Sequence, residues 1–203
     1  MRENPFGNAF AFLIDIRFPR PVFWFLLAGS VAIAVWVWRR DPAQRTPRHV
    51  GTWLLRALLG VMWWQQSLWK VPPHYDWGLI HWMQEMVAHA CSELQSALVR
   101  DLVLPNIAIF GPLVYLIELA IALSLMLGVA TRLAGLIGAL MALNLWLGLY
   151  NAPGEWPWTY MFLVILHLIY FIDPPGRSLG LDALAWRREG ASGQGSRMLA
   201  LVA

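Results

Sequence analysis

The sequence predicts an all-helical integral membrane protein, and two observations carry this prediction. Of its 203 residues, 59% are hydrophobic and only 13% are charged, so a water-soluble domain of this length would leave apolar surface uncovered. Four stretches that are uncharged, or nearly so, also approach or exceed the roughly 18 to 20 residues with which a helix crosses about 30 Å of hydrocarbon. They are 21–38, 102–131, which contains Glu118, 133–154 and 156–172.

A fifth span is predicted over 50–70, even though it contains polar side chains. Five of its residues recur at spacings of three or four and therefore lie within about 40° of one helical face. These residues are Arg56, Gly60, Trp63, Ser67 and Lys70. Because a charge in hydrocarbon costs several kcal/mol, we expect this face to point into the protein.

The predicted spans divide the chain into three parts. We expect them over about 21–38, 50–70, 108–130, 133–151 and 157–173. The first is followed by Arg39 and Arg40 without a small-residue cleavage site, which indicates a retained anchor rather than a secretion signal. Residues 1–49 thus form an N-terminal segment with its own span, 50–188 form the bundle, and 189–203 form a Gly/Ser-rich tail that is expected to be flexible.

The distribution of basic residues predicts an orientation. Most of them fall on one side of the five-span arrangement: Arg39, Arg40, Arg45, Arg48, Arg132, Arg177, Arg187, Arg188 and Arg197. Because Lys and Arg accumulate on the cytoplasmic side, the N-terminus is expected outside and the C-terminus inside. The net charge of +3 then reflects orientation and a weak attraction to anionic lipids, and it requires no nucleic-acid partner.

The long outer loop is expected to contain an amphipathic helix over 79–98 that lies at the membrane interface. Its apolar residues recur at helical spacing, with polar residues opposite. Within it, His81, Glu85 and His89 share one face. The two histidines lie about 12 Å apart along a helix, too far for one metal ion, so a solvated polar face is preferred to a metal site.

The polar groups inside the spans have predicted depths that follow from a rise of 1.5 Å per residue, counted from the end of each span that lies on the basic side. Glu118 and Asn144 fall about 16 to 18 Å deep, and Arg56 and His167 about 9 Å deep. Glu118 is the only carboxylate away from the ends of the predicted spans, so an Arg56–Glu118 ion pair is the preferred hypothesis. In the alternative, Arg56 extends to the interface and Glu118 is protonated against Asn144 or a glutamine.

The sequence predicts no haem, iron–sulfur or metal site within this chain. His167 is the only histidine inside a predicted span, so a haem held by two transmembrane histidines is disfavoured, and a packing role is the simpler interpretation. The single Cys91 excludes a four-cysteine site. The aromatic residues of 156–160 fit either a membrane-interface belt or the mouth of a quinone site.

Four motifs lie in order along 51–188. They are Arg56, Gly60, Trp63 and Lys70; Glu118 followed by Leu127-Gly128-Val129-Ala130-Thr131-Arg132-Leu133; Trp156-Pro157-Trp158-Thr159-Tyr160; and Gly176-Arg177-Ser178-Leu179-Gly180-Leu181-Asp182-Ala183. In order and spacing they resemble the DoxX family, and more closely its DoxD branch, which is known as a small membrane subunit of thiosulfate:quinone oxidoreductase.

The resemblance implies a four-helix transmembrane bundle that works beside other redox subunits in a prokaryotic cytoplasmic membrane. The span over 21–38 is additional to that pattern and offers a place for a partner to dock. No residue of this chain supplies a thiosulfate site or a redox centre, so any activity depends on partner subunits or on a bound quinone.

Two functions follow from these observations, and the sequence ranks them nearly level. In the first, the chain is an oxidoreductase subunit with a quinone site inside the bundle. Glu118 and Arg56 would be its catalytic groups, and Trp63, His167 and Asn144 would line the pocket. In the second, it is an accessory subunit of a larger respiratory or photosynthetic complex, where the polar residues fix helix register and the tryptophans hold lipids, pigments or neighbouring helices. A small-solute transporter is weaker, because repeated broken helices are absent from the pattern.

Overall fold

The structure, a computed structural model, describes residues 20–71 and 78–192, with side chains up to residue 186. The described part of the chain forms helices and no strand, which confirms the all-helical class. Its α-helices are α1 Arg20–Arg40, α2 Pro47–Ser67, α3 Gly78–His89, α4 Glu93–Ala97, α5 Ile107–Leu127, α6 Thr131–Gly148, α7 Pro157–Ile172 and α8 Leu181–Ser192. The predictions for 1–19 and for the tail from 193 onward lie outside the described residues.

Three helical segments of the described chain are long and apolar enough to cross a membrane. They are Arg20–Arg40, the continuous helical segment Glu93–Leu127 and Thr131–Gly148. Helix α7 is apolar but shorter, with 16 residues. Helix α2 has the length, but its polar residues lower its hydropathy. The three long apolar segments are typical of a membrane protein. That α2 and α7 also cross the membrane remains a prediction.

The outer amphipathic helix is not the single helix predicted over 79–98. Helix α3 ends at His89, and α4 begins at Glu93 after Ser92, whose Oγ accepts a hydrogen bond from the backbone N–H of Gln95 (3.3 Å). The predicted apolar face of α3 is buried, whereas Leu94 is 80% exposed. Backbone groups at the break bond instead to the end of α6, through Cys91 N to Leu147 O (2.8 Å). This tertiary attachment, which periodicity cannot show, divides the helix.

A π-helical turn, Leu98–Val103, and a 3-10 turn, Leu104–Asn106, join α4 to α5. Such turns are found where a helix is displaced by its neighbours, often at functional sites. Here Val99 is buried against α3. Helices α3 and α4, here called the outer helices, also contact α6 and thus pack on the bundle.

Helix α1 belongs to the hydrophobic core rather than to a separate appendage. Its residues Phe23, Ser30 and Val37 are buried. The Ser30 hydroxyl donates to the carbonyl oxygen of Met126 in α5 (2.5 Å) and accepts from Trp53 Nε1 in α2 (3.2 Å). The N-terminal span is thus fastened to two helices of the bundle.

The closest helix pairs are α2 with α5 and α6 with α7. At Gly60 a side chain would overlap the backbone of Met126, and at Gly138 it would overlap the imidazole of His167. Small residues at such positions let helices approach closely where lipid gives no hydrophobic driving force. Glycine is therefore required at both contacts.

Two of the sequence motifs fold together at the basic end, in a junction between the α5–α6 turn and the segment before α8. Gly128 ends α5 in the left-handed conformation (φ 70°), and Asp182 from α8 caps the start of α6. The Asp182 carboxylate accepts from Ala130 N (2.8 Å), Thr131 N (3.0 Å) and Thr131 Oγ1 (2.7 Å). A carboxylate at a helix N-terminus also interacts favourably with the helix dipole.

We expect Asp182→Ala to lower the free energy of unfolding by about 3 kcal/mol, because three donors, two of them buried, lose a charged acceptor. The measurement is unfolding of the purified chain in detergent. Asp173→Ala is the matched control, since Asp173 lies near the same end with a 77% exposed side chain. Equal stability of the two variants would contradict the capping role.

Candidate functional site: an apolar cavity with a buried ion pair

A cavity of ≈ 750 Å³ lies in the half of the bundle away from the α5–α6 turn. The end of α2, the outer helices, the first half of α5, the second half of α6 and the start of α7 surround it. Its wall is mainly apolar and includes Trp63, Met83, Met86, Val114 and Leu145. The volume falls in the range of sites for small organic ligands, which are typically apolar with a few polar groups.

The polar centre of the cavity wall is an ion pair between Lys70 and Glu118. Lys70 Nζ lies 2.5 Å from Glu118 Oε1 and 2.6 Å from Oε2. Only 6% of Lys70 and 3% of Glu118 is exposed. Lys70 lies in the 3-10 turn Leu68–Lys70 that continues α2, so it extends the polar face predicted for that helix. Each charge compensates the other where water is largely excluded.

The predicted Arg56–Glu118 pair is wrong. Arg56 is fully buried, and its guanidinium donates to the backbone oxygens of Leu125 and Met126, at the end of α5. Helices α2 and α5 run antiparallel, so the beginning of α2 meets the end of α5. Leu125 lies about 10 Å along α5 from Glu118, so Arg56 lies beside the end of α5 and not beside Glu118. The last carbonyls of a helix lack intrahelical partners, and they are the acceptors that the Arg56 guanidinium reaches.

Of the five predicted site residues, Glu118, Trp63 and Asn144 line the cavity. Asn144 does not contact Glu118, because its Oδ1 accepts from Gln95 Nε2 (2.9 Å). Arg56 and His167 are not among the residues that line this cavity.

His167 lies behind the cavity wall and holds Trp63 in place. Trp63 Nε1 donates to His167 Nε2 (2.8 Å), and His167 is fully buried. Since Nε2 accepts this bond, a neutral imidazole carries its proton on Nδ1, which lies with Cε1 against Gly138. His167 therefore acts as a packing and positioning residue, as the simpler interpretation of the sequence held.

Sequence reasoning missed Lys70 as a site residue. The sequence places Lys70 on the polar face of the second predicted span, at its end, and the hypothesis of an Arg56–Glu118 pair leaves it without a partner. The signal was present: Lys70 is fourteen residues after Arg56 on the same face. Two cations on one helix need separate acceptors on the neighbouring helix, and α5 provides both.

Outside the cavity, the polar face of α3 contains a pair of partly exposed side chains. His89 Nε2 lies 3.4 Å from Glu85 Oε2. Within residues 20–71 and 78–192, no group of three or more His, Cys, Asp and Glu side chains is placed to hold a metal ion.

Comparison with family models, curated proteins and solved structures yields no match to this chain. The resemblance to the DoxX family therefore remains a prediction from the four motifs.

A double-mutant cycle tests the pairing. We expect Lys70→Met or Glu118→Leu alone to lower the free energy of unfolding by about 3 to 5 kcal/mol, because either leaves a buried charge unpaired. The double variant should recover most of that loss. The corresponding cycle of Arg56→Met with Glu118→Leu should be additive within about 0.5 kcal/mol, since the two residues share no partner. Strong coupling in the second cycle and none in the first would contradict the structure.

Proposed function

We propose that this chain is a membrane subunit of a quinone-linked oxidoreductase and that its cavity binds the quinone headgroup. The observation that supports this proposal is a largely apolar cavity of ≈ 750 Å³ whose wall contains the buried Lys70–Glu118 pair. A quinone needs an apolar environment for its ring and tail and a hydrogen-bond donor for its carbonyl oxygen. Lys70 supplies the donor, and Trp63 supplies a flat apolar surface.

The chemistry assigned to the site is proton handling and electrostatic stabilisation. Reduction of a quinone to a quinol takes two electrons, which a redox partner subunit must supply, and two protons. Lys70 is the group that would hydrogen-bond the carbonyl oxygen as negative charge develops on it. Glu118 holds Lys70 in position and, when protonated, is the neighbouring group that would pass a proton toward that oxygen.

The proposal includes a place in a membrane. Helices α2 and α7 complete a five-span chain in a prokaryotic cytoplasmic membrane, as the DoxD-like motifs imply. The basic residues at the end of α1, the start of α2 and the start of α6 favour the cytoplasm for that end. On this arrangement the cavity lies in the outer half of the bilayer.

The accessory-subunit function is a second candidate, and the outer face of α1 favours it. Phe25 is 79% exposed, Trp24 44% and Trp36 40%, while the opposite face of α1 is packed in the core. Such a face can contact lipid or the helix of a partner subunit.

The docking role of α1 is tested by substitution of its exposed face. Deletion of the helix would also remove the core residues Phe23 and Val37 and thus unfold the bundle. We expect Phe25→Ser with Trp36→Ser to release the subunit from a native complex at least 10-fold more readily, as measured by co-purification in mild detergent. Leu55→Ser, at a 65% exposed position on α2, is the control. Unchanged co-purification of the double variant would contradict a docking role for α1.

Quinone binding is tested on the full chain in lipid nanodiscs with decylubiquinone as the probe. Saturable quenching of tryptophan fluorescence is expected, since Trp63 lines the cavity. We expect Glu118→Gln to weaken affinity about 10-fold and to lower quinone-coupled turnover of the complex, because the site loses a charge that positions Lys70. Glu93→Gln, whose side chain is 80% exposed, is the matched control.

Two results would contradict the proposal. One is the absence of saturable quenching by the wild-type chain. The other is normal quinone-coupled turnover by Glu118→Gln in an assembled complex.

A further inference from the structure

The exposed residues of the cavity wall are concentrated on one flank of α2. Met62 is 53% exposed and Trp69 38% exposed, and Gln65 and Gln66 are also exposed. Each of these side chains therefore borders the cavity and reaches the outer surface of the protein. On α7 the same holds for Thr159.

The two helices that carry these residues are not a closely packed pair. Glycines bring α2 against α5 and α6 against α7, whereas α2 and α7 are absent from the close helix pairs of the described chain. They are joined by side chains, through the Trp63–His167 hydrogen bond. Close helix–helix packing therefore does not close the wall of the bundle along the line between α2 and α7. Helix α1 does not cover this line, because it packs on α5 and on the Trp64 side of α2.

The outer helices cover the cavity from the side of the membrane surface. Leu79, Met83 and Met86 of α3 are buried against the cluster around Leu149. The end of α3 is fastened to the chain after α6, where Asn151 N donates to His89 O (3.0 Å). This attachment holds α3 over the cavity on the side of α6.

We propose that the ligand enters the cavity sideways from the lipid, between α2 and α7, and that Gln66 and Thr159 border this entrance. The proposal rests on the proposed function and specifies its substrate class: a molecule dissolved in the bilayer, with a polar ring and an apolar tail. A cavity of ≈ 750 Å³ holds a ring and the first part of a tail, while the rest of a long tail remains in lipid.

Gln65 and Gln66 provide hydrogen-bonding groups along this route. A lipid-exposed amide in a transmembrane helix is costly unless it finds a polar partner. Gln66 Oε1 accepts from Trp69 Nε1 at 3.3 Å, at the edge of the entrance. Gln65 and Gln66 thus offer a donor and an acceptor to a carbonyl-bearing headgroup that moves from the lipid to Lys70.

The route is tested by blocking it with bulky groups. In a Cys91→Ser background, Gln66→Cys and Thr159→Cys are each alkylated with N-cyclohexylmaleimide in proteoliposomes. The association rate of decylubiquinone is then measured by stopped-flow tryptophan quenching. Leu58→Cys is the matched control, because Leu58 is 58% exposed on the same helix but does not line the cavity. Leu98→Cys marks the competing route, since Leu98 is a cavity residue 46% exposed on the π-helical turn.

We expect alkylation at Gln66→Cys or Thr159→Cys to slow association at least 10-fold, with less than 3-fold change at Leu58→Cys and Leu98→Cys. Slowing at Leu98→Cys alone, or no slowing at any position while the unmodified chain still binds, would overturn the lateral route and leave the proposed function intact. Absence of saturable quenching in the unmodified chain would contradict the proposed function and this route with it.

Discussion

The antiparallel packing of α2 on α5 is the constraint on which the polar interior depends. Gly60 permits it, because any side chain there would meet the α5 backbone. Once the two helices are in contact, the beginning of one lies beside the end of the other. Arg56 then meets the terminal carbonyls of α5, and Lys70 meets Glu118. Two cations spaced fourteen residues apart are thereby satisfied by different chemistry: backbone oxygens at one end and a carboxylate at the other.

This contact separates the bundle into two halves with different physical properties. At the basic end, Arg56 packs closely on Gly128, and Thr131 is hydrogen-bonded to Asp182. At the other end, the Lys70–Glu118 pair stands in the wall of a large cavity. A buried pair replaced by apolar residues is often no less stable, so stability alone does not account for a lysine and a glutamate here. Their position in the wall of a cavity is the observation on which the proposed quinone site rests.

Some of the arrangement could be predicted from the sequence because it depends on local pattern. The all-helical class follows from long apolar stretches, and the inward face of α2 follows from the spacing of Arg56, Trp63 and Lys70. The burial of Glu118 follows from the cost of a charge in hydrocarbon.

The ion-pair partner of Glu118 could not be predicted from the sequence. Depth estimates along separate helices carry errors of several ångströms and cannot distinguish Arg56 from Lys70 as the neighbour of Glu118. The division of the outer helix at Ala90–Ser92 depends on hydrogen bonds to the end of α6, which no local pattern contains.

The sequence by itself therefore determined the all-helical class and which face of α2 is polar, because periodicity and hydropathy act within a few turns of one segment. Only the tertiary structure decided which charge meets which, and that His167 supports Trp63 from behind the cavity wall. Those outcomes depend on how several helices pack around glycines at Gly60 and Gly138. A shift of one helical turn between neighbouring helices, about 5.4 Å, is enough to exchange one partner for another.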